Sequence, residues 1–417
     1  MESEAVRTVK PGKVSVFAKR AARGLSRRLR AFGQVEPDGF DLDAVPTADI
    51  ALYFADQPAK LYQLTQWLPV FENQIDMRTI VVVRNLETYN ELRALTSLQV
   101  LLVPRYEILM ALYDRADFHA VIYVNNGWTN FQSLSFQQAV HIHVNHGESD
   151  KICMVSNQAK AYDKVFVAGQ AAIDRHAGAI AWFDSSHLVT VGRPQLDLEV
   201  ASPLAKSELK TITYAPTWEG EDEANNYTSV DLYGPQIMQA ALSVPDARVV
   251  YKPHPRVVAS VDPVIRANHK VIVSLIAAAG AQHLYLPTAD ILGILPETDL
   301  LIADVSSVTL DHLYLAPDSP ILLTDRRSDS NQLHADSPVS AACAVIDQSS
   351  ITGINNLIMT NLDTDTHRSD RESMRSYYFS DTEQESSTGA FWSAITTEIA
   401  AHDAALQGIQ RVRQVGP

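Results

Sequence analysis

The stretch DLLIADVSSVTLDHLYLAPDSPILLTD, residues 299–325, decides the fold. An apolar run from Leu300 to Ala303 stops at Asp304, two serines follow, and a helix-length segment then runs to the break at Pro317. A second apolar run begins at Ile321 and ends at Thr324 and Asp325. Two short buried strands separated by one helix predict a crossover unit, and such units build parallel sheets covered by helices on both faces. Ser306 or Ser307 is placed to cap a helix beginning near Val308.

The alternation continues in both directions. Residues 50–55, 79–84, 98–103, 120–124, 140–145, 165–169 and 188–192 read as strands, with KLYQLTQWLPVFENQ (60–74) and NELRALTS (90–97) as helices between them. The polar stretch RPQLDLEVASPLAKSELK (193–210) has two prolines and no period, and reads as a boundary. Strands then recur at 211–217, 247–253, 283–287, 299–304 and 320–325, with helices over 230–244 and 262–280. The expected architecture is α/β: two Rossmann-like doubly wound domains, residues 41–195 and 205–360, facing a central cleft. A C-terminal helix over 385–412 is expected to pack back across the junction. A chain of 417 residues is also too long for one core. Open α/β sheets bind ligands at the carboxyl ends of their strands, so the cleft is where chemistry is expected.

Apolar residues make up 46% and charged residues 20% of the chain, as in water-soluble globular proteins, and no apolar run is long enough to span a bilayer. Cys153 and Cys343 have neither metal nor redox spacing, which suits a reducing cytosol. The net charge of −15 hides a basic N-terminal segment: residues 5–35 carry nine Lys or Arg and no acid. Apolar residues recur every three to four positions in VSVFAKRAARGLSRRLRAF (14–32), so a helix there would be basic on one side and apolar on the other, and residues 1–40 read as a basic amphipathic segment suited to an anionic membrane surface, the alternative being a disordered basic tail. Nucleic acid is a poorer partner, because the remaining chain is strongly acidic.

Several residues stand where chemistry is expected. His146 and Gly147 end the strand VHIHVN (140–145), which would present an imidazole, the commonest general base, to the cleft. In VVYKPHPR, His254 lies between two prolines that hold it outward to donate to a phosphate oxygen, with Lys252 and Arg256 adding charge. Ser306 and Ser307 open a helix whose free amides form an anion site. Asp311, one turn on, is placed to reach a ribose or cytidine hydroxyl. Thr217, ending TITYAPT (211–217), is placed to bond a phosphate or an acceptor. Asp304 is expected to order the Ser306–Ser307 turn, the alternative being contact with the acceptor. Gly147 is expected to leave room for an incoming hydroxyl. The acids Glu219, Glu221, Asp222 and Glu223 form a contiguous run without ligand spacing, so no metal is expected, and no GxGxxG or P-loop is present.

Together NHGESDK, YDKVFVAGQAAIDR, VGRPQLD, YAPTWEG, YKPHPR and ADVSSVTLDHLYLAPDSPILLTD resemble, in order, the CDP-glycerol glycerophosphotransferase family, the teichoic-acid polymerases and primases of bacterial cell walls. The resemblance runs over residues 140–325. It implies a GT-B architecture, no cofactor or metal, and a peripheral association with the cytoplasmic face of the membrane. It also implies that His146 is the general base and that His254, Ser306 and Ser307 hold the donor pyrophosphate. Glu148 departs from the family pattern, which has a small residue after His-Gly. The implied activity moves a glycerol phosphate or related alditol phosphate from a CDP-alditol to a hydroxyl of a lipid-linked or polymer acceptor, with release of CMP. The alternatives are a GT-B glycosyltransferase or epimerase acting on a nucleotide sugar, and an inactive nucleotide-binding partner in a wall-assembly complex.

Overall fold

The computed structural model describes residues 42–380 and 386–415, so the basic segment over residues 1–40 lies outside the described residues. Seven strands form the first sheet: β1 (Ile50–Phe54), β2 (Thr79–Val83), β3 (Gln99–Leu102), β4 (Ala120–Tyr123), β5 (Val140–His143), β6 (Lys164–Val167) and β7 (Leu188–Thr190). Their order is β3-β2-β1-β4-β5-β6-β7, and every pair is parallel. Six more strands form the second sheet: β8 (Lys210–Ala215), β9 (Ala247–Tyr251), β10 (Leu284–Tyr285), β11 (Leu300–Asp304), β12 (Ile321–Thr324) and β13 (Ala344–Ile346). Its order is β10-β9-β8-β11-β12-β13, again all parallel. In each sheet the order reverses beside the first strand, at β1/β4 and β8/β11, and a crevice opens at such a reversal.

The central strands β1, β2, β4, β8, β9 and β11 are buried along almost their whole length. That is why they read as continuous apolar runs rather than alternating ones. The helical reading of 60–74 needs correction: Pro69 starts a new helix, so the segment is two short helices, Tyr62–Thr65 and Leu68–Glu72. Only the first three residues of NELRALTS are helical, because the helix there is Leu86–Leu92, capped by Asn85.

The C-terminal helix, Ser387–Val415, crosses back to the first domain. Its Phe391 and Ile395 enter the core formed with Trp67, Phe71 and Phe166. The preceding helix, Arg368–Phe379, places Tyr378 and Phe379 in a cluster containing Ala168 and Ala171 from the first domain and Leu310 and Leu313 from the second. Apolar burial thus ties the domains together around the cleft. The stretch 193–210 is only partly a linker: Arg193, Pro194, Gln195 and Leu196 are buried, and Pro194–Asp197 forms a 3-10 turn. Among the described residues no helix is long and apolar enough to cross a membrane.

Candidate active site

The His146 turn begins with Asn145, which takes the left-handed conformation at φ 54°. Asn tolerates that region better than other side chains with a Cβ. Its Oδ1 accepts the His146 amide at 2.8 Å, and its carbonyl accepts the Trp67 indole N–H at 2.6 Å. Asn145, rather than Gly147, therefore makes the turn. A Cβ on Gly147 would lie 3.7 Å from both Arg193 Nη2 and Ser307 Cβ, ordinary contact distances. A methyl group would therefore fit there, so lack of space for a side chain is not what requires glycine at 147. The same distances place the first domain's turn beside the helix start of the second.

His146 is kept neutral. Burial, then the positive charges of Arg193, Lys60 and Lys151, lower its pKa to about 4, against a hydrogen bond to the Val124 backbone. Nδ1 is buried and has no partner. The Tyr62 ring stands edge-on to His146 at 6.0 Å and to His254 at the same distance, so one aromatic ring links histidines from the two domains.

His254 caps the short helix Pro255–Val258, its Nδ1 accepting the Arg256 amide at 3.2 Å. A neutral imidazole that accepts at Nδ1 carries its proton on Nε2, ready to donate. Burial and the surrounding Lys151, Lys252 and Arg256 charges lower its pKa to about 3, so the ring is neutral at physiological pH. Trp218 stacks on it, and the Arg256 guanidinium lies over Trp218 at 4.1 Å. Lys252 is buried and donates to the Pro253 carbonyl at 3.2 Å. Lys151, which follows the His-Gly turn, reaches into the second domain and donates to Thr217 Oγ1 at 2.8 Å. Burial lowers its pKa, while Asp304 opposes the shift.

Three readings from sequence are corrected here. Asp304 is fully buried and orders β8 and β12 rather than the serine turn: its carboxylate accepts the Thr217 amide at 2.7 Å and the Thr324 hydroxyl at 2.6 Å. Burial raises its pKa to about 6 despite these bonds. Asp311 is ion-paired with Arg193 in the interior, so its charge serves that pair rather than a nucleoside hydroxyl. Ser306 occupies the cap position of the helix Ser307–Leu315, but its buried hydroxyl caps nothing and has no partner. The amides of the first turn and this hydroxyl therefore remain available to an anion.

Sequence reasoning missed Tyr62, Lys151, Arg193 and Arg175. Arg175 donates to Glu148 at 2.6 Å and to Asp150 at 2.8 Å. Asp150 also accepts Ser337 Oγ at 2.9 Å and the Tyr378 hydroxyl at 2.5 Å. Glu148 is thus an anchor of the loop that follows His146. The unusual acid in NHGESDK was the available signal, since a buried carboxylate needs a cation.

The chain matches the family described as CDP-glycerol:poly(glycerophosphate) glycerophosphotransferase over residues 61–328, a span that contains the whole cluster from Tyr62 to Asp311. The chain belongs to this family. Membership makes it a transferase. Solved structures share the fold at low identity. The wall teichoic acid polymerase TagF aligns at 14% identity over 94% of this chain and 99% of that one, with a TM-score of 0.53. A Listeria monocytogenes protein assigned as a UDP-N-acetylglucosamine 2-epimerase aligns at 12% over 85% and 97%, with a TM-score of 0.58. HepE of Anabaena, solved in complex with UDP-glucose, aligns at 12% over 86% and 100%, with a TM-score of 0.50. The architecture is therefore GT-B, as expected. No protein of curated function matches the chain by sequence.

Proposed function

We propose that this protein transfers glycerol phosphate, or a related alditol phosphate, from a CDP-alditol to a hydroxyl of a lipid-linked or polymer acceptor, releasing CMP. The observation that supports the reading is that the His146–Gly147 turn lies beside the Ser307 helix start, with His146 Nδ1 and the Ser306 hydroxyl both left unpartnered. The acceptor oxygen attacks the phosphorus that bears the alditol. The new P–O bond forms as the bond to CMP breaks, and His146 Nδ1 takes the hydroxyl proton. The hydrogen bond to the Val124 backbone leaves Nδ1 as the unpartnered nitrogen. His254 Nε2–H, Lys151, Lys252, Arg256 and the amides at Ser306 and Ser307 stabilise the charge that grows on CMP. Thr217 positions Lys151, and Asp304 positions Thr217.

The test is CMP release from CDP-glycerol and CDP-ribitol, with UDP-glucose as the competing donor, in the presence and absence of a glycerol-phosphate acceptor. Acceptor-dependent CMP release that is lost in His146→Ala is expected. UDP release alone would replace the reading with a nucleotide-sugar transferase, and no release with any donor would replace it with a nucleotide-binding partner. The basic segment over residues 5–35 is proposed to hold the enzyme on the anionic inner face of the membrane. Equal flotation with phosphatidylglycerol vesicles after deletion of residues 1–40 would refute that.

A further inference from the structure

Behind the His146 turn, between the carboxyl ends of β5, β6 and β7, lies a cavity with about 40 Å³ open to the centres of water-sized atoms. At 10–15 Å³ for each water centre this is room for about three waters, or about 90 Å³ of liquid, enough for the two-carbon end of a polyol. Asn145 and Gly147, the neighbours of His146, line it together with His143, Gln195, Arg193 and Asn126.

The lining holds a concentration of unmet hydrogen-bonding capacity. Both ring nitrogens of His143, both amide atoms of Gln195, Arg193 Nε and Asn126 Oδ1 are buried without partners. His143, Gln195 and Arg193 are 3%, 2% and 5% exposed, so bulk water does not serve them. Orphaned buried polar groups are costly, and a fold keeps several in one place when something fills the place. Their chemistry describes the occupant. Burial holds His143 neutral, with one nitrogen donating and the other accepting. Gln195 offers one donor and one acceptor, Arg193 Nε a donor and Asn126 an acceptor. The charges are already matched, Arg193 by Asp311 and Arg175 by Glu148 and Asp150. A neutral group whose hydroxyls both donate and accept fits such a lining, whereas a phosphate or carboxylate does not.

We infer that this cavity is the acceptor subsite, holding the terminal polyol of the acceptor beside the His146 turn. The role as acceptor subsite rests on the transfer reaction proposed above; the binding of a polyol does not.

Gln195→Leu replaces the unpaired amide with an apolar group of similar size, so its melting temperature should equal or exceed that of the parent. Its KM for the acceptor should rise at least about tenfold, as when a buried partner of a substrate hydroxyl is lost, while its KM for the donor stays within about twofold. His143→Phe, which preserves the stack on Tyr162, should show the same split. An unchanged acceptor KM in both variants overturns the inference. Saturation-transfer NMR with free glycerol gives an answer independent of turnover. Signal in the parent that is lost in Gln195→Leu supports the subsite even if no donor is turned over, which would be a failure of the proposed reaction alone. No signal in the parent means that the cavity holds only water, and overturns the inference.

Discussion

Removing the cation at Arg175 is the sharpest perturbation the structure offers. Its guanidinium is the cation shared by Glu148 and Asp150, at 2.6 and 2.8 Å, with side chains 9% and 3% exposed. Burial outweighs the pull of Arg175 on both carboxyls, so each already titrates above its ordinary range. Arg175→Met removes the only cation among the described residues bonded to either buried carboxylate, leaving Glu148 with the weaker pull of Arg193, and breaking a buried pair in this way costs about 3–5 kcal/mol. The cost has a definite pH dependence. Both carboxyls bind protons more readily in the folded than in the unfolded state, and losing the arginine strengthens this. Lowering the pH therefore neutralises the stranded charges in the folded protein, and the deficit shrinks. Urea denaturation of parent and variant at about pH 7.5 and about pH 5 measures both quantities. Adding Glu148→Gln to Arg175→Met should recover part of the loss. A deficit under about 1 kcal/mol, or one that grows as the pH falls, would refute the argument.

Other outcomes follow from the same geometry. Because the His146 pKa is lowered to about 4, the acid limb that its protonation gives the kcat/KM profile should lie near that pH; an acid limb near 6.5 that persists in Asp304→Asn, which removes the other group titrating in this range, would contradict this. Lys151→Met should raise the donor KM about ten- to a hundredfold, the range for a charged hydrogen bond, with little change in acceptor KM; initial rates against CDP-glycerol read it directly. His143, with a folded pKa of about 3 against 6.5 unfolded, contributes stability that is whole above about pH 6.5 and lost as the pH falls toward 3. At about pH 5 that loss is about 2 kcal/mol, so His143→Phe should lose about that much less than the parent between pH 7.5 and 5 in urea melts. Ser306→Ala should leave the melting temperature within about 2 °C, because the hydroxyl caps nothing, while lowering donor affinity; a large thermal loss would restore the capping role.

The two sheets were legible because parallel strands buried on both faces leave continuous apolar runs between turn residues. The edge strand β13, Ala344–Ile346, was not read from the sequence. The helix Arg368–Phe379 was missed because its few apolar residues stand among many charged and polar ones. His146 and His254 were legible as candidates because each ends a strand, and strand ends meet at the cleft of this architecture. Ser306 illustrates the limit. Its place before a helix is a sequence fact, but capping depends on where the hydroxyl points.

The sequence by itself thus determined the alternation of strands and helices, the family, and the strand-end positions from which chemistry can be done, because all of these are encoded in local runs of residues. Tertiary structure alone decided the partners. Asp311 was committed to Arg193, Asp304 to Thr217 and Thr324, Glu148 to Arg175, and Tyr62 to the place between two histidines. A buried charge must find its counter-charge in space, and the folded chain supplies it from a segment distant in sequence.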